Sequence, residues 1–179
     1  MEKTLINLPD SVYKAIWSHL LPRRLYKEEA AFLYVQQKIE DKVTVFHYLD
    51  WLPVPTSGFA TQSPYYLELT DQMRATVIKQ GHELNASIVE LHSHIGDHLA
   101  EFSMSDLLGF QEFVPHVWWR LKGRSYMAVV VSRTGFDALA WIKDPKIPQR
   151  LDGIATEGLV IKPTNLTIVN CNSYDKRTF

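Results

Sequence analysis

One cysteine among 179 residues, Cys171, excludes an intramolecular disulfide framework. Excess charge of either sign is missing too: 19 basic against 20 acidic side chains leave a formal net charge of -1. That balance argues against the broad basic field of a nucleic-acid binder, leaving room only for a local patch. Long apolar runs are absent. AAFLYV (30–35) and YMAVVV (126–131) have six residues each, whereas a membrane-spanning helix needs about 20. The opening MEKTLINLPD has no basic stretch leading into an apolar one, so no secretory signal and a cytoplasmic address are expected. No internal repeat and no low-complexity segment appears. What is present, 46% apolar and 12% aromatic residues with 22% charged, fits a single globular domain spanning residues 1–179.

Periodicity predicts an α/β organisation. A short helix opens at Pro9-Asp10, presents Val12, Ile16 and Leu20 as one stripe, and stops at Pro22. Residues 28–37 and 42–54 read as antiparallel strands joined by the polar turn KIEDK, followed by a loop marked by Pro53, Pro55, Ser57 and Gly58. A strand at 65–69 precedes a helix that starts at Thr70-Asp71 and runs to about Gly81. ASIVELHSH (86–94) reads as a strand and IGDHLAEF as a polar loop. A second long helix opens near Ser103, with Leu107, Phe110, Val114, Val117 and Leu121 on one face, and Pro115 is expected to bend or split it. SYMAVVVS and FDALAWI form two further strands around Arg133-Thr134-Gly135, and the tail offers strands at LVIK and LTIVN. Strands and helices alternate without a strict βαβ rhythm, so a mixed sheet flanked by helices is expected.

The chemistry concentrates after ASIVELHSH. His92 and His94 are one residue apart on a strand, and the period of two puts both imidazoles on one face. Asp106 lies twelve residues beyond His94, in the first turn of the next helix, where a returning loop could deliver its carboxylate to the same ion. Two histidines and a carboxylate suit zinc with one position left open, and zinc lowers the pKa of water to about 7. The HxH pair alone is weak, since seven histidines give roughly 0.3 such pairs by chance. Ser103 and Asp106 alone also have a plain explanation as a helix capping box. Neither explains the order: HxH ending a strand, a polar loop, then SxxD opening a helix.

That order, HSH(x8)SMSD, resembles the signature of the JAB/MPN (JAMM-motif) zinc metalloproteases, HxH(x7)SxxD with an upstream glutamate. Here the upstream text is Glu28-Glu29-Ala30-Ala31-Phe32-Leu33, and placing Glu28 at the glutamate position sets Ala31 where the family has glycine. The alternative, Glu29, sets bulky Phe32 there. The resemblance implies a JAB/MPN-like, cytidine deaminase-like fold, with a mixed central sheet flanked by helices. It implies zinc as cofactor on His92, His94 and Asp106. Glu28 becomes the general base that passes a proton to the leaving amine, and Ser103 the donor to the tetrahedral oxyanion. The implied activity is peptidase or isopeptidase cleavage at the C-terminus of a ubiquitin-like protein. The stretch FSMSDLLGFQEFVPHVWWRL looks most like bacterial members encoded with E1-like, E2-like and ubiquitin-like partners.

Three positions depart from the pattern. The loop between His94 and Ser103 is one residue longer, Ile95 stands where proline is usual, and Glu90 replaces the tryptophan common in eukaryotic members. Glu90 shares the face of His92 and His94, so it is either a partner that orients a ligand histidine or a rival base. Two rival functions remain: processing of a ubiquitin-fold sulfur carrier, with the same residues, and a non-catalytic MPN-type scaffold in which SxxD only caps a helix. A phosphoesterase would need more ligands and basic phosphate contacts than this region offers. Asp97, His98 and Glu101 read as a solvated rim, and His19, His47, His82 and His116 as ordinary histidines. Of Trp118 and Trp119, at most one faces the core. Arg23, Arg24 and Lys27 read as a solvated basic face, and Cys171 is not expected to be a nucleophile.

Overall fold

The computed structural model describes residues 3–175, with side chains described for residues 3–170; Cys171 lies outside the described side chains. A nine-stranded mixed sheet runs through the molecule in the order β11-β10-β1-β3-β2-β6-β7-β8-β9. Its strands are β1 (Lys3–Asn7), β2 (Ala30–Glu40), β3 (Val43–Pro53), β6 (Ser87–Ser93), β7 (Tyr126–Ser132), β8 (Gly135–Trp141), β9 (Gln149–Arg150), β10 (Gly153–Thr156) and β11 (Leu159–Ile161). The pairs β1–β3, β1–β10 and β6–β7 are parallel and the others antiparallel. A separate two-stranded sheet, β4 (Phe59–Gln62) with β5 (Leu67–Leu69), follows a single 3-10 turn at Thr56–Gly58.

Helices cover both faces, which is why the central strands read as unbroken apolar runs. On one face α1 (Asp10–Leu20) contributes Ile16 and Leu20, packed with Ala31, Leu33, Val35, Val89, Leu91, Met127 and Val129. On the other, α2 (Asp71–Glu83) and α3 (Met104–Arg120) bury Val77, Phe110, Val114 and Val117 against Phe32, Tyr34, Ile88, Ala128 and Val130. The central strands alternate their side chains between the two cores, so β7 and the first half of β2, Ala30–Val35, are buried throughout, while Gln36–Glu40 of β2 are exposed.

The helix starts follow the sequence. Thr70 caps α2, its Oγ1 accepting from the Met73 N–H at 3.1 Å, and α1 begins with Asp10 in its first turn after Pro9. Several expectations are corrected. The turn of the β2–β3 hairpin is not KIEDK but Asp41-Lys42 alone, both at positive φ (46° and 67°), so pairing continues to Glu40↔Val43. Two left-handed residues match the twist of the flanking strands. Pro115 does not split α3, which runs as one helix from Met104 to Arg120. LTIVN is not a strand. It starts helix α4 (Leu166–Asp175), after Asn165 at φ 57°, with Thr167 buried and Ile168 seated in the α2/α3-side core. The strand β1 and the hairpin partner β4 lie in stretches for which the sequence pattern predicts no element.

Candidate metal centre

The centre sits at the C-terminal end of β6, on the α2/α3 face of the sheet. In β6, Glu90 and His92 point to this face while Val89 and Leu91 enter the opposite core. The backbone of His92 is flanked by Ala30 of β2 and Val130 of β7, and the His94 N–H donates to the Val131 carbonyl at 2.8 Å. His92 is therefore fixed by ladders on both sides, and His94, one residue past the end of β6, by that main-chain bond to β7. His92 is 2% exposed, with its ring 5.8 Å from that of Phe102.

Asp106 arrives from α3. Ser103 is the N-cap: its Oγ accepts from the Asp106 N–H at 3.2 Å and donates to Asp106 Oδ2 at 2.7 Å, and the Ser103 N–H donates to the same oxygen at 2.7 Å. The capping box is thus complete, and it aims the carboxylate at the histidines. Asp106 Oδ1 lies 3.5 Å from His92 Nε2, Oδ2 lies 3.3 Å from His94 Nε2, and the two Nε2 atoms are 3.3 Å apart. Donors on a tetrahedral zinc with bonds of about 2.0–2.1 Å stand about 3.3–3.4 Å from one another. The residues fit that ion, and His92, His94 and Asp106 form a group able to hold a metal.

Glu28 is buried and comes within 4.0 Å of His94 Nε2. It lies just before β2, where its N–H donates to the Ser63 carbonyl at 2.9 Å and its own carbonyl accepts from Gln62 Nε2 at 2.8 Å. Glu29 is held away by different contacts. Its N–H donates to Ser93 Oγ and its carboxylate accepts from Gln62 Nε2. Of the three candidate bases, Glu28 and Glu90 line the cleft. Glu90 Oε1 is 4.0 Å from His92 Nδ1, and Glu90 Oε2 accepts from the Tyr126 hydroxyl.

The charges shift one another accordingly. Burial pushes the Glu28 carboxyl above its ordinary pKa, against the pull of His94 and His92. Burial raises Glu90 as well, opposed by His92 and by the Tyr126 hydroxyl. Asp106 behaves oppositely: burial would raise it, but contacts from His92, His94 and Ser103 hold it well below the usual carboxylate range. His92 is lowered by burial and raised more by Asp106, Glu90 and Glu28. Of the three acids in the cleft, Glu28 and Glu90 are pushed up and Asp106 down, so their proton affinities are set apart by their surroundings.

The cleft is open, about 530 Å³, and reaches from the centre past Tyr65, Tyr66 and Leu67 toward Phe113. Asp97 and His98 are exposed on its rim, outside the His92/His94/Asp106 group. Away from it, His19 Nε2 contacts the Ala30 carbonyl at 2.9 Å and His47 pairs with Glu40. Trp118 packs against the core and Trp119 is 71% exposed.

Sequence reasoning missed the residues that hold the loop between His94 and α3. The Phe102 N–H donates to Thr167 Oγ1 (3.0 Å), Thr164 Oγ1 donates to the Ala100 carbonyl (2.7 Å), and the Thr167 N–H donates to Asp137 Oδ2 (2.9 Å). Asp137 is fully buried. The signal was available: it is the one charged residue in FDALAWI, and a buried acid needs partners.

No family model matches the chain, and no curated protein matches it. Among solved structures, the chain is similar to the solution structure of a protein from Salinibacter ruber, at 18% identity and a TM-score of 0.40, over 92% of this chain and 94% of that one. Among the described residues, no helix is long and apolar enough to cross a membrane.

Proposed function

We propose that the chain is a zinc-dependent peptidase or isopeptidase of JAB/MPN type, cleaving at the C-terminus of a ubiquitin-like protein. The observation that carries this reading is the convergence of His92, His94 and Asp106 at 3.3–3.5 Å, with Glu28 alongside, in an open cleft. Zinc on these three residues would polarise a substrate carbonyl and make a water acidic enough to attack at neutral pH. Glu28, desolvated and close to His94, is suited to accept the proton of the attacking water on its carboxylate and pass it to the leaving nitrogen. Ser103 Oγ stands at the cleft beside Asp106, and its hydroxyl hydrogen, donated to Asp106 Oδ2 in the structure, would turn to the developing oxyanion. The strand β5 borders the cleft, so an extended tail can pair along it.

One observation favours a scaffold instead. Ser103 and Asp106 satisfy each other fully as a helix cap, so the SxxD text requires no metal. Elemental mass spectrometry of wild type and Asp106→Ala separates the two readings. Near-stoichiometric zinc, lost in the variant, supports the enzyme; folded protein without zinc after reloading leaves the scaffold. Fusions to ubiquitin-like proteins and to sulfur carriers then identify the substrate, and Glu28→Ala is expected to keep zinc while losing cleavage.

A further inference from the structure

We infer that Tyr126 and Glu90 form a relay that fixes the tautomer of His92, and so set how strongly the centre binds its metal. The inference rests on the zinc reading above. His92 Nδ1 is buried and has no hydrogen-bond partner among the described residues. In a neutral imidazole that uses Nε2 as a lone-pair donor, Nδ1 must carry the hydrogen. An N–H buried without an acceptor is costly, and a tautomer left free to flip would put the hydrogen on the nitrogen that faces Asp106.

The acceptor at hand is Glu90 Oε1, 4.0 Å from Nδ1. The other oxygen of the same carboxylate is pinned by the Tyr126 hydroxyl, and Tyr126 is fully buried on the neighbouring strand β7. Strand register explains the arrangement. Glu90 and His92 share a face two residues apart, and the β7 residue paired with Ile88 is Tyr126, whose long ring reaches forward along that face to Glu90. With Oε2 held by Tyr126, Oε1 is the carboxylate oxygen left to accept from Nδ1 once the 4.0 Å gap closes. Arg74 stands on the far side, its guanidinium 5.8 Å from the centre of the Phe113 ring and in the same cleft wall as Glu90. It keeps a positive charge beside the buried acid. Glu90 is therefore a positioning residue, acting on the metal through His92 and not on the substrate.

The test uses the full chain as wild type, Glu90→Gln and Tyr126→Phe, with zinc affinity read by competition against a chromogenic chelator. Loss of an outer partner of a ligand histidine typically lowers metal affinity 10–100-fold. A loss in that range is expected for Glu90→Gln, with a smaller loss for Tyr126→Phe and a combined effect well short of the product. Nitrogen-15 shifts of the His92 ring give a readout that a merely structural role would not move. The wild type should carry its hydrogen on Nδ1, and Glu90→Gln should redistribute it. Tyr126→Phe, which deletes a single oxygen, keeps the test intact if Glu90→Gln fails to fold. Zinc affinities within twofold of wild type together with unchanged His92 shifts would overturn the relay. If the wild type held no zinc at all, the proposed function would fall, and the His92 shifts of the metal-free protein would still decide the relay.

Discussion

Ser103 is asked to do two jobs, and one pair of substitutions separates them. As N-cap of α3 its Oγ accepts from the Asp106 N–H and donates to Asp106 Oδ2. Ser103→Ala removes both contacts, but Asp106 Oδ2 keeps the Ser103 N–H at 2.7 Å. Ser103 is exposed, so water re-solvates what is lost, and the cost is that of a missing cap, about 1 kcal/mol. For a chain of this length that lowers Tm by about 2–4 °C. Ser103→Gly caps nearly as well as serine, costing only a few tenths of a kcal/mol, and should melt within about 1 °C of wild type. Both variants leave His92, His94 and Asp106 in place but remove the Ser103 Oγ contacts to Asp106, so zinc content is measured in each and turnover is compared at equal metal loading. Neither retains a hydroxyl, so if Ser103 is the oxyanion donor, turnover should fall about 10²–10³-fold in both, independent of Tm. Differential scanning fluorimetry and cleavage of the fusion substrate give the two readouts. Ser103→Gly melting several degrees low would refute the capping arithmetic. Near-wild-type turnover in both variants would leave Ser103 as a cap and nothing more.

Asp137→Ala strands the buried N–H groups of Ala138 and Thr167, which now donate to it at 2.9 Å; at about 1–3 kcal/mol for each unpaired group, melting should drop by several degrees and amide exchange at Phe102 should speed up. Unchanged exchange at Phe102 would show that the clamp does not hold the loop. Pro115→Ala restores a helical N–H inside the continuous α3 and should stabilise the protein by about 1–3 kcal/mol in chemical denaturation; a lower midpoint would contradict this. Gly153→Ala would bring a Cβ to 2.8 Å from the Ile161 carbonyl oxygen and 2.8 Å from Val160 Cγ1, forcing β10 from β11 at about 1–3 kcal/mol; a Tm equal to wild type would mean that this edge repacks freely.

The parts of the fold legible in the sequence were those set by local pattern. The α2 start at Thr70, the apolar face of α3 and the shared face of Glu90, His92 and His94 all follow from periods of 3.6 and 2. What was illegible depends on chain segments far apart. The strand β1 looks unremarkable as KTLIN, yet it pairs in parallel with β3 and with β10, some 150 positions away in the numbering, and no local signal announces such a neighbour. LTIVN has the β-branched composition of a strand, but Thr167 is tied to Asp137 and Phe102 while Ile168 fills a core already bounded by sheet, so tertiary contacts override propensity. In the site, the ligand set could be read from spacing, whereas Gln62 and Ser63, which hold the Glu28 backbone, could not. Their contact is with main chain, and main-chain partners leave no residue type to recognise.

The candidate centre therefore joins groups of unequal rigidity. His92 belongs to β6, paired on both sides and buried, whereas His94 follows the last residue of the strand and is held by its N–H to the Val131 carbonyl. Asp106 is carried on a helix start whose incoming loop is tied to Thr164 and Thr167 by two hydrogen bonds, and Glu28 on a segment tied to the β4–β5 hairpin. Local openings that break a few such bonds cost much less than global unfolding. The two carboxylates can thus adjust around the fixed imidazole of His92. Under the proposed function that division would suit the centre, with His92 defining where an ion sits and the acids supplying the compliance. On the relay proposed above, Glu90 and Tyr126 would act on the centre from behind His92, the candidate ligand held by the sheet on both sides, while Asp106 would act as a ligand directly.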